Sequence, residues 1–269
     1  MGIADEPQLV GVIGVGHFGK ALVEGLISSK QYNVKCSNLT PYKFIEPTLK
    51  EIKVITDNIQ LSQDVETLVI AVRPQDVEVV LEDIKDFKGL IITFAAGLPL
   101  SYYEGRLPNA CVVRGMSNLG VAYQRGMSAW VVSEAVTHKQ LIYIKSFFSQ
   151  LGNHIHYPLS QESNLNIVTA LSGSGIGYLA KIFDIMRIWG ASQGLSDEDS
   201  EQIVVETVRS LIELYGQSDL NLGEIGSHVA SEGGTTQAGL KIMHNKGLSL
   251  VISEGLQETI SKCLDLSDI

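Results

Sequence analysis

Three glycines near the start of the chain have the spacing of a phosphate cradle. Gly14-Val-Gly-His-Phe-Gly19 follows the apolar run Leu9–Ile13 and leads into the helical pattern Lys20–Ser29. Gly14 permits a tight turn, Gly16 lets an anionic group reach the backbone, and Gly19 lets the helix pack close to the strand. The helix start then offers unpaired N–H groups and a partial positive charge to a pyrophosphate. A strand, this glycine pattern and a helix in that order predict a dinucleotide site, and with it a nicotinamide-dependent oxidoreductase.

The end of the next strand selects the dinucleotide. Asp or Glu there binds the ribose hydroxyls of NAD, but Cys36-Ser-Asn-Leu-Thr40 has no acid and the next is Glu46. Ser37 and Asn38 are neutral hydrogen-bonders for a 2′-phosphate, and Thr40 and Lys43 could assist, so NADP is favoured. Two further strand ends face the same ligand by the rule that ligands sit at the carboxyl ends of such strands. They are Ala71-Val-Arg-Pro74 and Phe94-Ala-Ala-Gly97, whose small residues leave room for ribose and nicotinamide.

A second chemistry lies in Ser231-Glu-Gly-Gly-Thr-Thr236, just before the helical pattern Gln237–Asn245. Two readings fit it. The glycines and threonines can form a backbone nest that gathers N–H groups around a carboxylate or phosphate. They can equally form an ordinary glycine turn with a threonine N-cap.

The elements that position these motifs change character near residue 160. Before it, Leu9–Ile13, Val34–Ser37, Leu68–Val72, Leu90–Phe94, Cys111–Arg114 and Ser128–Val132 read as short buried strands, with helical patterns such as Asp76–Lys85 between them. Alternation of this kind predicts a parallel sheet covered on both faces. After it, Asn164–Trp189 (interrupted by Ser172-Gly-Ser-Gly175), Asp197–Tyr215 with Ser196 as N-cap, Leu222–Ala230, Thr235–Asn245 and Leu248–Leu264 read as helices. The fold class is therefore α/β: an N-terminal Rossmann dinucleotide-binding domain over residues 1–160 and a C-terminal all-helical domain over residues 161–269. Apolar helix surface without an obvious partner predicts that the second domain forms a homodimer; an assembly of dimers is also compatible.

Bulk properties narrow the partners. A net charge of -10 without a dense basic run argues against nucleic acid. No apolar run reaches the ~18 residues of a membrane span. Met1-Gly2 with Asp5 and Glu6 reads neither as a signal peptide nor as a myristoylation site. Cys36, Cys111 and Cys263 are far apart, without metal-type spacing, which fits a reducing, cytoplasmic setting. His154-x-His156 puts two imidazoles on one face of a strand, but no third ligand is near and a surface strand is the expectation. No metal site is predicted, and His17 is given no acid–base role.

The order of motifs resembles pyrroline-5-carboxylate reductase. The resemblance rests on Gly14-Val-Gly-His-Phe-Gly19, Ala71-Val-Arg-Pro-Gln75, Ala95-Ala-Gly97, Val113-Arg-Gly-Met-Ser-Asn118, Thr169-Ala-Leu-Ser-Gly-Ser-Gly175 and Gly233-Gly-Thr-Thr-Gln-Ala-Gly239, which span nearly the whole chain. It implies reduction of 1-pyrroline-5-carboxylate, a small anionic cyclic imine, to L-proline. It implies NAD(P)H along Ile13, Gly14, Val15, Gly16, His17 and Phe18, at Asn38 and Asn58, at Ala71, Val72, Arg73 and Pro74, and at Phe94, Ala95 and Ala96. Asn118 is then close to the nicotinamide. Gly234, Thr235 and Thr236 are implied to hold the substrate carboxylate at a dimer interface, with Thr236 next to the imine nitrogen and Glu162 near the substrate.

The chain departs from the family pattern at several points. Glu232 stands where a proline is usual, Gly173-Ser-Gly-Ile-Gly-Tyr178 and Met116-Ser-Asn-Leu-Gly120 each lack expected prolines, and Arg73 replaces a lysine. A carboxylate beside a carboxylate-binding nest is unfavourable unless it points away or is paired. These departures keep two alternatives open: reduction of another small cyclic imino acid, or a non-catalytic NADP-binding dimeric sensor.

Overall fold

The computed structural model describes residues 7–44 and 47–267, so Glu46 and the N-terminal residues weighed above as a leader lie outside the described residues. The α/β part contains β1 (Gln8–Ile13), α1 (His17–Ser28), β2 (Tyr32–Ser37), β3 (Val54–Ile55), α2 (Asn58–Gln63), β4 (Thr67–Ile70), α3 (Val77–Asp83), β5 (Leu90–Thr93), α4 (Leu100–Glu104), β6 (Cys111–Met116), β7 (Gly126–Val132), α5 (His138–Leu151) and β8 (Gly152–His156). The helical part continues with α6 (Asn164–Val168), α7 (Gly175–Ser192), α8 (Asp197–Gln217), α9 (Leu222–Val229), α10 (Thr235–Asn245) and α11 (Leu248–Ser267).

The strands form one sheet in the order β3-β2-β1-β4-β5-β6-β7-β8. Its first six strands are parallel in the Rossmann order. The expectation of a parallel sheet needs one correction: β7 runs antiparallel to β6, and β8 then runs parallel to β7. Alternate residues of the central strands feed two separate cores. Leu68, Ile70, Ile91 and Val112 pack on one face; Val69, Ile92 and Val113 pack on the other with Leu22, Trp130, Phe147 and Phe148. Burial on both faces is why these strands read as continuous apolar runs. Truncating the fully buried Trp130, stacked on Phe148 at 5.3 Å and on His156 at 3.9 Å, removes a keystone of the second core; such truncations cost about 3–5 kcal/mol.

Local signals start the helices. Thr137 and Gln140 form a capping box on α5, Asn221 and Glu224 form another on α9, and Ser196 Oγ accepts the Asp199 N–H at 3.0 Å at the start of α8.

The chain divides into two compact units. One comprises the described residues up to Gly175 together with those from Glu258 on; the other is Ile176–Gln257. The junction expected at 160 and 161 falls inside the first unit, and the end of α11 belongs to it as well. There Cys263 is buried, and a side chain at Gly97 (φ +85°) would strike the Cys263 carbonyl at 2.6 Å and Leu266 at 2.7 Å. Within the second unit, large apolar side chains such as Ile185, Trp189, Ile212, Ile242 and Val251 stay exposed in the single chain. No described helix is long and apolar enough to cross a membrane.

Candidate functional site

A cleft of about 710 Å3 opens at the carboxyl ends of β1, β2, β4, β5 and β6. It sits where the strand order reverses, between β1 and β4, which is where open sheets of this type hold dinucleotides. Gly14 makes the turn at φ +94°, and its N–H is held by the Ser37 carbonyl at 2.8 Å. A Cβ on Gly19 would strike the Gly14 carbonyl, so α1 can approach β1 this closely only with glycine there. A Cβ on Gly16 would meet nothing within 4 Å; the space above it belongs to the cleft. That open floor and the first-turn N–H groups of α1 fit a pyrophosphate.

The β2 side of the cleft is lined by Asn38, Leu39, Thr40 and Asn58. Asn38 Oδ1 accepts the Val15 N–H at 3.2 Å, and Nδ2 donates to the Thr40 carbonyl at 3.0 Å. Asn38 thus ties the glycine loop to the loop after β2. Val15 itself is buried in the second core and does not line the cleft. Ser37 corrects the sequence reading: it is fully buried, and its hydroxyl donates to Asn58 Oδ1 at 2.6 Å, leaving no group for a 2′-phosphate. Asn58 Nδ2 in turn donates to Asp83 at 2.9 Å, so the Asn58 amide is oriented from both ends.

The β4 and β5 side is lined by Ala71, Val72, Arg73 and Pro74 and by Phe94, Ala95 and Ala96, with Ile13, Gly14, His17 and Phe18 between the two sides. Arg73 Nε pairs with Asp76 at 3.0 Å and stays exposed. Phe18 and Phe94 meet at 5.0 Å between ring centroids. Below them Thr93 Oγ1 lies 2.9 Å from the Tyr103 hydroxyl and 3.3 Å from the Ala95 N–H it accepts. Burial pushes the Tyr103 phenol far above its ordinary range, so it stays protonated as a fixed hydrogen-bond partner. Asn118, with Met116, Ser117, Thr169 and Gly173, closes this end.

Behind the cleft lies a buried charge. The Arg114 guanidinium donates to Glu162 Oε1 at 2.9 Å and to Asn166 Oδ1 at 2.8 Å, and Glu162 Oε1 also accepts the Leu100 N–H at 2.7 Å. One carboxylate oxygen therefore ties β6 and the first residue of α4 to the turn before α6. No described hydrogen bond reaches Glu162 Oε2, and Glu162 does not line the cleft. Arg114 and Ser172 received no role from the sequence. The available signal was a polar residue inside an apolar stretch, since charged side chains are rarely buried unless paired.

The remaining predicted residues belong to the second unit. Gly233 adopts φ +72°, its N–H donates to Gln237 Oε1 at 2.9 Å, and the Gly234 N–H donates to the Ser231 carbonyl at 3.0 Å. Both glycine N–H groups are therefore satisfied internally. Gly234 is the N-cap of α10 without a side-chain cap bond, so the threonine-cap reading does not apply. The uncommitted donors are those of the first helical turn, from Thr235 on. Glu232 is exposed, where water screens its charge.

Two family models match the chain, one in each half of the sequence. A family model described as pyrroline-5-carboxylate reductase dimerisation matches residues 162–266, and one described as NADP oxidoreductase, coenzyme F420-dependent, matches residues 9–97. Pyrroline-5-carboxylate reductase of Methanosarcina acetivorans is 30% identical over 253 residues, covering 90% of this chain and 92% of the relative. The Synechocystis enzyme of the same name is 27% identical, covering 96% and 97%. Among solved structures, the Coxiella burnetii pyrroline-5-carboxylate reductase superposes with a TM-score of 0.80 at 25% identity, covering 96% of this chain and 98% of that one. Plasmodium falciparum pyrroline carboxylate reductase with NADP bound shares the fold at a TM-score of 0.89 and 22% identity, covering 97% and 99%.

Proposed function

The chain belongs to the pyrroline-5-carboxylate reductase family, and from that premise we propose how its residues divide the reaction. The family reduces the C=N bond of 1-pyrroline-5-carboxylate to L-proline, the last step of proline biosynthesis, and this chain is an NAD(P)H-dependent oxidoreductase acting on CH–NH with NADP as cofactor. Bound in the cleft, the reduced cofactor supplies a hydride from the nicotinamide C4 to the imine carbon.

The assignment is carried by one observation: a switch-point cleft with an open glycine floor in the same chain as a helix N-terminus, Gly234-Thr-Thr236, inside the segment that matches the dimerisation model. The glycine loop and the start of α1 hold the pyrophosphate. Asn38, Thr40 and Asn58 face the adenosine half, where the absence of an acid favours NADPH over NADH. Phe94, Ala95, Ala96 and Asn118 face the nicotinamide. The first-turn N–H groups of α10, from Thr235 and Thr236, hold the substrate carboxylate, with Gly234 as the N-cap beside it whose own N–H is taken by Ser231, and the Thr236 hydroxyl meets the ring nitrogen directly or through a water. Glu162 Oε2 stays available toward the substrate.

A protonated imine is already electrophilic, so the protein mainly aligns two reactants, which can be worth ~7–11 kcal/mol. The exposed apolar side chains of the helical unit are covered by a second copy, giving a cytoplasmic homodimer with the substrate site at its interface. Purified protein is given 1-pyrroline-5-carboxylate with NADPH and, separately, with NADH, while absorbance of the reduced cofactor is followed. Turnover with a preference for NADPH is expected; no turnover with either sinks the assignment.

A further inference from the structure

Between α6 and α7 the helix takes one wide turn, Thr169–Gly173, closed by the Ser174 N–H on the Thr169 carbonyl at 2.8 Å. Such π turns are frequent at functional sites. This one carries Ser172, which is buried, to 2.8 Å from Asn118 Nδ2 and 3.0 Å from the Met127 carbonyl. A hydroxyl has one hydrogen. The Met127 carbonyl can only accept it, so the Ser172 oxygen accepts from Asn118. The Asn118 amide is fixed in consequence, with Nδ2 toward Ser172 and Oδ1 accepting the Gly120 N–H at 3.0 Å. Its second Nδ2 hydrogen is committed to no described bond, and the side chain lines the cleft at the end away from Asn38.

We propose that Ser172 is a positioning residue: it turns the Asn118 amide so that its second hydrogen donates to the carboxamide oxygen of the nicotinamide and fixes which ring face meets the imine. The inference rests on the placement of the nicotinamide at this end of the cleft. Amide torsions are broad and roughly two-fold; without the Ser172 oxygen, one of the two contacts holding Asn118 is gone and its donor is no longer aimed.

Ser172→Ala, Asn118→Ala and the double variant are compared with the parent. By calorimetry, Ser172→Ala is expected to weaken NADP+ binding several-fold and to leave binding of 2′-phospho-ADP-ribose, which lacks the nicotinamide, unchanged. In turnover, each single variant is expected to lose about 10-fold in kcat, one hydrogen bond's worth, and the double variant to lose no more than Asn118→Ala alone. Multiplying losses, or equal weakening of cofactor and fragment, overturns the proposal. The titrations need no imine, so a parent that fails to reduce 1-pyrroline-5-carboxylate still allows Ser172 to be judged. If Ser172→Ala does not fold, Ser172→Cys, close in size and a poor acceptor, takes its place; failure of both to fold overturns the proposal in favour of a purely structural serine.

Discussion

Glu162→Ala cuts two bonds at once, from Oε1 to Arg114 and from Oε1 to the Leu100 N–H. The Arg114 side chain is 5% exposed and that of Glu162 19%. Removing one partner of a buried ion pair costs about 3–5 kcal/mol, because the other charge is left in low dielectric. Arg114 keeps its bond to Asn166 and water reaches Glu162 in part, so a loss of about 2–4 kcal/mol is expected. Glu162→Gln keeps the acceptor and loses only its charge, at about 1 kcal/mol per bond and so about 1–2 kcal/mol in all. In a chain of this size each kcal/mol lowers the thermal midpoint by roughly 2–4 °C. Thermal unfolding of parent and both variants, at one protein concentration, should therefore rank parent above Gln above Ala. An Ala variant whose midpoint stays within roughly 1 °C of the parent, a shift worth well under 1 kcal/mol, would refute the reasoning. If such a variant has lost only KM for the imine, the role of Glu162 lies with the substrate alone.

Three further outcomes are expected. Thr236→Ala lowers kcat by at least about 10-fold, one transition-state hydrogen bond, while the NADP+ dissociation constant is unchanged; equal losses in both contradict the role given to Thr236. Asn38→Asp keeps the acceptor for the Val15 N–H but places a negative charge beside the 2′-phosphate, and repulsion across roughly 5 Å should shift the NADPH to NADH ratio of kcat/KM toward NADH by about 10-fold; an unchanged ratio places the 2′-phosphate elsewhere. His154 and His156 titrate below the usual 6.5, chiefly through burial, then through Lys145 and, for His156, His154. The folded state keeps these rings neutral, with His154 Nδ1 accepting the Trp130 N–H at 3.3 Å. The unfolded chain therefore binds more protons as pH drops, so their contribution is present above pH 6.5 and fades as pH falls from 6.5 through the folded values. Unfolding midpoints measured against pH should fall over that window, and more gently in the His154→Gln/His156→Gln variant; identical slopes exclude these rings as the cause.

The features legible in the sequence were those whose cause is local. Gly14, Gly16 and Gly19 announced the cleft because turn, phosphate approach and helix packing are all decided within six residues. Ser196 marked the start of α8 through its own side chain. Strand direction was not legible, because a strand buried on both faces reads the same in either sense, and β7 was taken as parallel. The two-residue β3 gives too short a pattern to see. Ser172-Gly-Ser-Gly175 read as a break, since glycine is a poor helix former, yet the backbone passes through it as a π turn. Ser37 and Glu162 depended on distant partners: Asn58 and Arg114 lie 21 and 48 residues away. The glycines at 233 and 234 read as donors for an anion, and only the folded loop reveals Gln237 and Ser231 already in that place.

The docking of Cys263 and Leu266 against Gly97 gives the cofactor-binding unit a schedule. Its strands leave the ribosome early, but the piece that backs the loop after Phe94–Ala96 is made only after the whole of Ile176–Gln257. Domains that are continuous in sequence can fold as they emerge; this one has to wait across the synthesis of its neighbour. A chain stopped at Gln257 therefore has every residue of the second unit but lacks the closing piece of the first, the one that backs the loop after Phe94–Ala96.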